Sequence, residues 1–357
     1  MKGVRIKKKN ALRKFKIESL TDYRHEQMGK IDFVIAWVDD TDPVWQKAFH
    51  SYLPQSQCTD DTRHIRYRNW DNLRYWFRGV EQFAPWVNKI HFITCGQTPD
   101  WLNTSAPKLH LVKHSDYIPN KYLPTFNSDT IILNLHRIAG LSEHFVFFDD
   151  DMFLIDKVRP EKFFRNGLPC DMAAFNALSP GDIFTHIVVN DLRVINASFK
   201  KHKMLRRHFW KWISLQAGTK LMRTLFLFPW PHFTGFYDPH LPQVFLKSTF
   251  EEVWEKYEDV LLNTTATRFR SIADVSSWLF RYWQLAKGDF IPTNLDRYGA
   301  SFNISDKTID KIAQTIEYQK KRIVCLNDGE VPSFEEARNR INVAFHKILP
   351  EKSSFEK

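Results

Sequence analysis

The sequence has 357 residues and a formal net charge of +10, with 43% hydrophobic and 15% aromatic residues. A chain of that length and apolar content can bury a large core, which excludes a disordered protein. The excess of positive charge favours anionic partners, such as phosphorylated substrates, an acidic membrane surface or nucleic acid.

Much of this charge lies at the beginning of the chain, where residues 2–16 hold eight Lys and Arg residues and no acid. We predict a basic arm over residues 1–30 that touches an acidic membrane surface only peripherally. No apolar run has the length of a signal peptide or a membrane span. The four cysteines lie far apart, without a C-x-x-C pair. We therefore expect a cytoplasmic protein.

Short apolar runs alternate with helical periodicities in the first half of the chain. The run Ile31 to Val38 predicts a strand, and the apolar stripe from Leu73 to Phe83 predicts a helix that ends before Pro85. The other predicted elements here are strands over 90–94, 109–112 and 145–148 and a helix over 131–141. Such alternation is typical of an α/β fold with a largely parallel sheet, in which ligands bind at the carboxyl ends of the strands.

Acidic residues follow two of these strands, as the runs Asp39 to Asp42 and Asp149 to Asp151. Residues two apart in an extended segment face the same side, so Asp149 and Asp151 could hold one divalent cation while Asp150 points elsewhere. Such a cation would neutralise a diphosphate. Either run is also typical of a solvated acidic turn.

The second half of the chain has weaker signals. The segment from 179 to 238 is basic and aromatic, which indicates a lid or an acceptor platform. Helical periodicity spans Val244 to Tyr257 and residues 272–285, and Ser333 with Glu336 predicts a capping box that opens a helix through His346.

Two kinds of side chain suit phosphate chemistry. Arginines concentrate at positions 63, 66, 68, 74 and 78, and their guanidinium groups can bind phosphate oxygens bidentately. His240 lies in a proline-flanked segment, and imidazole is the usual general base near neutral pH. The alternatives are a solvated basic helix face and a structural histidine.

Four blocks together resemble the Stealth family, which includes bacterial capsule polymerases and the lysosomal-enzyme N-acetylglucosamine-1-phosphotransferase. They are IDFVIAWVDDTD (Ile31 to Asp42), the long block from RYRNWDNLRYWF through LPTFNS to LHRIAGLSEHFVFFDDDMF (Arg66 to Phe153), the block from PHLPQ to RFRSIADVSSWL (Pro239 to Leu279), and RIVCLNDG (Arg322 to Gly329).

The resemblance implies a GT-A-like α/β core with a mostly parallel sheet and helical C-terminal additions. It implies Mg²⁺ or Mn²⁺ as the cofactor and a nucleotide sugar, with uridine as the base, as the donor. The reaction would transfer a sugar 1-phosphate to a saccharide hydroxyl in capsule or cell-surface polysaccharide synthesis and release a nucleoside monophosphate.

The matching positions yield a set of candidate site residues. These are Asp151, His240 and Arg270 for catalysis, Asp39, Arg74, Asn327 and Asp328 for nucleotide-sugar binding, and Asp149 with Asp151 for the metal. Two positions depart from the family pattern: Asp149 replaces an Asn, and Ile132 stands where relatives commonly carry a Glu. Asp129 lies three residues earlier and could reach a similar place on one helix face, so it is our hypothesis for the missing carboxylate.

We divide the chain into the basic arm (1–30), a nucleotide-sugar- and metal-binding α/β core (31–178), an aromatic and basic insert or lid (179–238) and a helical part that completes the active site (239–357). An ordinary glycosyltransferase that releases a nucleoside diphosphate is the nearest alternative. A non-catalytic binder of anionic polymers is the alternative from another class, although no nucleic-acid-binding motif is present.

Overall fold

The computed structural model describes residues 29–53, 68–179, 181–329 and 331–357. The predicted basic arm, except for its last two residues, lies outside these ranges, as do Arg63 and Arg66 of the arginine concentration.

Strands and helices alternate along the described chain. The strands are β1 (Ile31–Ala36), β2 (Ile90–Thr94), β3 (Leu109–Lys113), β4 (His144–Phe148), β5 (Met152–Leu154), β6 (Phe164–Arg165), β7 (Leu168–Asp171), β8 (Gln243–Leu246), β9 (Ile291–Pro292), β10 (Gly299–Asn303) and β11 (Ile323–Asn327). The helices are α1 (Pro43–Tyr52), α2 (Leu73–Phe83), α3 (Ser128–Leu133), α4 (Ile183–Ser198), α5 (Lys201–Arg207), α6 (Phe209–Trp212), α7 (Leu221–Leu227), α8 (Lys247–Thr265), α9 (Trp278–Lys287), α10 (Ile309–Glu317) and α11 (Phe334–Ile348).

The main sheet has five strands in the order β3-β2-β1-β4-β8. The first four strands are parallel to one another, and β8 is antiparallel to β4. The predicted α/β class with a largely parallel sheet is therefore confirmed. The chain extends the sheet from β1 toward β3 on one side and places β4 on the other side of β1. The point between β1 and β4 is thus a topological switch point, the place where α/β sheets open a crevice for ligands.

Both faces of this sheet are covered, which explains why its strands read as continuous apolar runs rather than as alternating ones. On the side of α2, Phe148 packs against Trp76, and Phe33 packs against Phe148. Val34 and Phe147 belong to a second core on the opposite face. The helices α8 and α9 contribute to that second core through Phe250 and Phe280, whose rings stack with centroids 3.6 Å apart.

A second sheet, in the order β10-β11-β5, connects the C-terminal part to the acidic run. β5 follows Asp151 directly and pairs antiparallel with β11, and the Leu326 amide donates to the Asp151 carbonyl at 2.9 Å. The end of β11 therefore lies beside the end of β4. A third small sheet has the order β6-β7-β9.

Several local predictions were wrong. Residues 243–246 form a strand instead of the start of a helix, because they pair with β4. The helix predicted over 131–141 ends at Leu133 and is followed by a 3-10 turn over 135–137. The helix in the region 272–285 begins only at Trp278. The last helix does begin after Ser333, but the Ser333 side chain makes no capping hydrogen bond.

The C-terminal part, 239–357, carries the predicted helical additions as α8 to α11 and also contributes the strands β8 to β11 to the sheets. The loosely patterned segment 179–238 carries the helices α4 to α7. The four-part division of the chain stays a prediction. No helix in the described ranges is both long enough and apolar enough to cross a bilayer.

Candidate active site

A cavity of about 780 Å³ opens at the switch point of the main sheet. Its lining includes Trp37 and Val38 after β1, Asp149 to Asp151 after β4, and Asn327 with Asp328 after β11. A smaller chamber of about 170 Å³ adjoins it and shares Trp37, Val38, Ser128, Ile132, Asp149, Asp150 and Arg270. Cavities of this size accommodate small-molecule ligands.

The three acids after β4 all line the large cavity, and Asp149 and Asp150 also line the smaller chamber. That Asp150 points away from the cation stays a prediction. The Asp151 Oδ2 accepts from the Cys325 thiol at 3.4 Å, whereas its buried Oδ1 has no hydrogen-bond partner among the described residues. Desolvation, reinforced by the neighbouring Asp149 carboxylate, raises the pKa of Asp150 to about 7. Desolvation and the adjacent carboxylates also raise the pKa of Asp151 well above its usual range. A cation bound here would relieve this repulsion.

The donor set of the acidic run fits a hard divalent metal. Within the described part of the chain, no three His, Cys, Asp or Glu side chains converge as a preformed metal site. Asp149 and Asp151 offer carboxylate oxygens, which Mg²⁺ and Mn²⁺ prefer, and Mg²⁺ commonly completes its coordination with water and substrate phosphates. Asp149 and Asp151 therefore suit a metal that enters together with a diphosphate.

Arg270 lies where the large cavity and the smaller chamber meet. Its Nε donates to the Asp129 Oδ2 at 2.9 Å, and one of its terminal nitrogens donates to the Ser128 Oγ at 2.7 Å. Asp129 is almost fully buried in the first turn of α3, and Ile132 follows it one turn later with its side chain lining both cavities. The structure thus brings Asp129 to the same cavity wall as Ile132, where it holds the guanidinium of Arg270.

His240 is exposed and lines the large cavity, with its ring centroid 6.4 Å from that of Trp278. The segment that carries it is held by Asp238, which accepts from Arg281 at 2.8 Å and from the Tyr282 hydroxyl. Burial raises the pKa of Asp238 to about 6, although the Arg281 charge opposes the rise. The imidazole is therefore presented to the cavity by a firmly anchored segment.

Asp328 and Asn327 reach the cavity from the end of β11. Asp328 accepts from the Arg68 Nε at 3.1 Å and from the Trp70 indole at 2.9 Å, and Arg68 lies 4.1 Å from the centroid of the Phe334 ring. Asn327 donates to the Ser301 hydroxyl at 2.9 Å. Arg68 belongs to the arginine concentration in the sequence, but only the structure distinguishes it as a cavity residue.

Two predicted binding residues, Asp39 and Arg74, are absent from the lining of both cavities. Asp39 accepts from the backbone amide and the hydroxyl of Thr41, at 3.0 and 2.6 Å, and so closes the turn after β1. Arg74 is 3.6 Å from Asp71 and lies over the Trp101 ring on the far side of α2. The structure does not bring these two residues together with the others, and their roles stay predictions.

The smaller chamber has an aromatic wall that sequence reasoning missed. Trp45, Phe126 and Phe269 line it, and the Phe126 and Phe269 rings stack with centroids 5.2 Å apart. Two of these residues could have been found from the sequence, because Phe126 lies inside LPTFNS and Phe269 is next to Arg270. Such a wall suits a flat ring system that stacks on aromatic side chains.

Comparisons with known proteins agree with the family resemblance of the sequence. Residues 29–57 match the model of Stealth protein CR1, conserved region 1, and residues 66–171 match that of Stealth protein CR2, conserved region 2. The capsular polysaccharide phosphotransferase WcwK of Streptococcus pneumoniae is 43% identical over 335 residues, which cover 93% of this chain and 99% of that protein. The receptor polysaccharide phosphotransferase WefC of Streptococcus gordonii is 42% identical, with coverages of 92% and 99%. The exopolysaccharide phosphotransferase cps2G of Lactiplantibacillus plantarum is 39% identical, with coverages of 92% and 96%.

Solved structures with a looser likeness are glycosyltransferases. The galactosyltransferase LgtC, in complex with donor and acceptor sugar analogs, is 10% identical with a TM-score of 0.34, covering 87% of this chain and 95% of that one. The bifunctional glycosyltransferase WbbM is 10% identical with a TM-score of 0.38, covering 90% and 52%. A likeness of this degree carries no functional conclusion.

Proposed function

The chain belongs to the Stealth family, and from that membership we propose that it transfers a sugar 1-phosphate from a nucleotide diphosphate sugar to a saccharide hydroxyl. The product is a phosphodiester within a capsular or other cell-surface polysaccharide. The observation that carries the proposal is the meeting of crowded carboxylates, Arg270 and His240 in one cavity.

The two substrates enter different parts of the site. The nucleoside of the donor, which we take to be uridine, binds in the smaller chamber against Trp37, Trp45 and Phe126, because aromatic side chains stack on bases. The diphosphate then extends past Arg270 toward Asp149 and Asp151. The acceptor saccharide occupies the remainder of the large cavity, beside His240 and Trp278.

His240 serves as the general base of the reaction. Its imidazole accepts the proton of the acceptor hydroxyl, and the resulting oxygen attacks the phosphorus that is bonded to the sugar. The bond between that phosphorus and the bridging oxygen of the diphosphate breaks, and a nucleoside monophosphate leaves. The sugar–oxygen bond is retained, which separates this reaction from glycosyl transfer.

The remaining polar residues stabilise negative charge on the transferred phosphoryl group. Arg270 presents its guanidinium at the junction of the chambers, and the buried Asp129 carboxylate fixes its direction. A divalent metal held by Asp149 and Asp151 supplies Lewis-acid neutralisation of the diphosphate when it is bound. Asp129 thereby performs part of the work expected of the Glu that Ile132 replaces.

The released nucleotide tests the proposal directly. Purified protein is incubated with a panel of UDP-sugars and Mg²⁺ or Mn²⁺, with and without saccharide acceptors, and the nucleotides are separated by chromatography. We expect acceptor-dependent UMP, its loss in EDTA, and its loss in Asp151→Asn. Release of UDP instead would make the chain an ordinary glycosyltransferase and overturn the proposal. Metal-independent binding of anionic polymers without turnover would assign it to a non-catalytic class.

A further inference from the structure

Large apolar side chains point into solvent on the segment that connects α5 to the strand β8. Trp210 is 81% exposed, Leu215 is 85% exposed and Phe226 is 72% exposed. Phe209, Met222, Leu225 and Trp230 are exposed as well, so seven of the thirteen large exposed apolar side chains in the described ranges lie between residues 209 and 230. We call these seven residues the insert surface. A concentration of exposed apolar side chains on one short segment is typical of a surface that contacts a partner.

The helix α7 shows that this exposure is built into the fold. Met222, Leu225 and Phe226 are spaced so that they share one face of the helix, and all three are exposed. Thr224 faces inward, is fully buried, and its hydroxyl accepts from the Phe175 amide at 3.0 Å. The apolar face of α7 is therefore directed away from the core, the reverse of an ordinary surface helix.

One buried lysine, Lys201, and one half-buried lysine, Lys211, hold the insert surface in place. The Lys201 ammonium donates to the carbonyls of Leu227 at 2.5 Å and of Trp230 at 2.8 Å, and burial lowers its pKa to about 8. Lys211 donates to the carbonyls of Gly288 and Phe290, at 2.6 and 2.8 Å. The exposed aromatic side chains thus belong to an anchored structure.

The chain segment that carries the insert surface has side-chain charges of one sign. Between residues 192 and 237 the sequence contains nine Lys and Arg residues and no Asp or Glu. Exposed members of this set, such as Arg206 and Arg207, are separated from Phe209 and Trp210 only by His208. Aromatic and aliphatic side chains framed by Lys and Arg are typical of protein surfaces that lie in the interface of an anionic bilayer.

A basic cavity of about 400 Å³ adjoins the same surface. Gln216, the neighbour of the exposed Leu215, forms part of its wall. Four cations and one acid also line it: Arg159, Lys162, Arg165, Arg297 and Glu161. A net positive cavity beside an apolar surface suits an anionic headgroup whose acyl chains lie next to it.

We propose that the insert surface docks the protein on an anionic phospholipid bilayer. The aromatic side chains enter the interfacial region, and the cations of the segment and of the basic cavity contact the headgroups. This contact is separate from that of the basic arm, which lies outside the described residues. It does not depend on the proposed reaction, because it uses none of the residues that line the active-site cavity.

Vesicle binding by the full-length chain tests the proposal. Binding to vesicles of phosphatidylcholine mixed with phosphatidylglycerol is measured by sedimentation, and tryptophan quenching is measured with brominated lipids. We expect binding with strong quenching, and loss of most of the quenching in Trp210→Phe/Trp230→Phe. Binding without quenching, or with equal quenching in that variant, would assign the contact to the arm and overturn the proposal.

A charge variant provides the second arm of the experiment. Met222→Glu/Phe226→Glu should weaken vesicle binding at least about tenfold, because burial of one large apolar side chain already contributes an effect of that size. Val343→Glu, at a position 54% exposed on α11, is the matched control and should leave binding unchanged. Thermal unfolding checks that both variants are folded. If Met222→Glu/Phe226→Glu converts an oligomer to a monomer and wild-type vesicle binding is absent, the surface binds a second copy of the chain instead.

Discussion

Carboxylates with close charged neighbours occur in two regions of this molecule, in opposite surroundings. In the active-site cavity, Asp149, Asp150 and Asp151 follow one another, and the pKa values of Asp150 and Asp151 rise through desolvation and mutual repulsion. Behind the cavity, Asp171 and Asp238 flank Arg281, which donates to both at 2.8 Å. One region concentrates like charges and the other pairs opposite ones.

This difference in charge distinguishes the candidate binding site from the residues that hold its walls in place. Like charges held together oppose folding, and a ligand of opposite charge would relieve their repulsion. Paired buried charges are costly to break and fix the positions of the elements that carry them. The Arg281 network connects β7, α9 and the His240 segment, and so it holds one wall of the cavity in place.

The largest expected effect is on stability, in the paired region. Arg281→Met leaves Asp171 and Asp238 buried without their cation and should lower the free energy of unfolding by about 3–5 kcal/mol. Urea denaturation measures the loss. Arg322→Met is the control, because Arg322 is half exposed and 3.8 Å from Asp156, and it should change stability by less than about 0.5 kcal/mol. Similar losses in both variants would contradict a supporting role for the network.

The next effect is on turnover, at His240, which lies in the segment that the Arg281 network holds. His240→Ala should reduce the rate of nucleotide release by about 10²- to 10⁴-fold, the usual contribution of a general base. Its unfolding temperature should match that of the wild type, because the side chain is exposed. His232→Ala, at an exposed histidine away from both cavities, should retain activity. Loss of folding in His240→Ala would indicate a structural histidine.

A smaller effect is expected at the wall of the active-site cavity, where Asp129 pairs with Arg270. Asp129→Asn keeps the shape but removes the charge, and it should lower turnover by about 10- to 100-fold, the scale of one hydrogen bond between charged groups. Ser128→Ala removes only a neutral acceptor from Arg270 and should cost less. Unchanged activity and metal dependence in Asp129→Asn would refute the replacement of the missing Glu.

The smallest effect is a change in the pH dependence of stability, measured as thermal unfolding in EDTA. The pKa of Asp150 is about 7 in the folded protein and near 4 in an unfolded chain, so its contribution is fully present below about pH 4. That contribution is lost as the pH rises through 7. Asp150→Asn should therefore become more stable than the wild type toward pH 8, by about a few degrees or less. Asp171→Asn, which weakens the pairing with Arg281, should instead be less stable than the wild type. If both variants changed stability in the same direction, the contrast between the two regions would be contradicted.

Local structure followed largely from the sequence in the first half of the chain. The bounds of β2 and α2 were predicted correctly, because continuous apolar runs and a helical stripe are local signals. The strand β8 was missed since Val244, Phe245 and Leu246 are too few to show a period, and only their pairing with β4 decides their conformation. Ser333 likewise begins a helix without capping it, because the cap depends on side-chain geometry.

The candidate site residues also differ in how far the sequence alone could place them. The large cavity is lined by six of the candidate residues, Asp149, Asp151, His240, Arg270, Asn327 and Asp328. Asp39 and Arg74 also belong to matching sequence blocks but do not line it. Motif membership cannot distinguish them, because side-chain direction depends on neighbours distant in sequence. The pairing of Arg68 with Asp328 joins residues separated by 260 positions, and no local pattern encodes it.

The sequence by itself determined the family, the α/β class and the chemistry available at the strand ends, because these depend on short blocks of consecutive residues. The tertiary structure alone decided which acids crowd together and which pair with Arg281, that Asp129 holds Arg270, and that α7 turns its apolar face outward. Each of these depends on contacts between distant segments, where burial and neighbouring charge set the behaviour of a side chain.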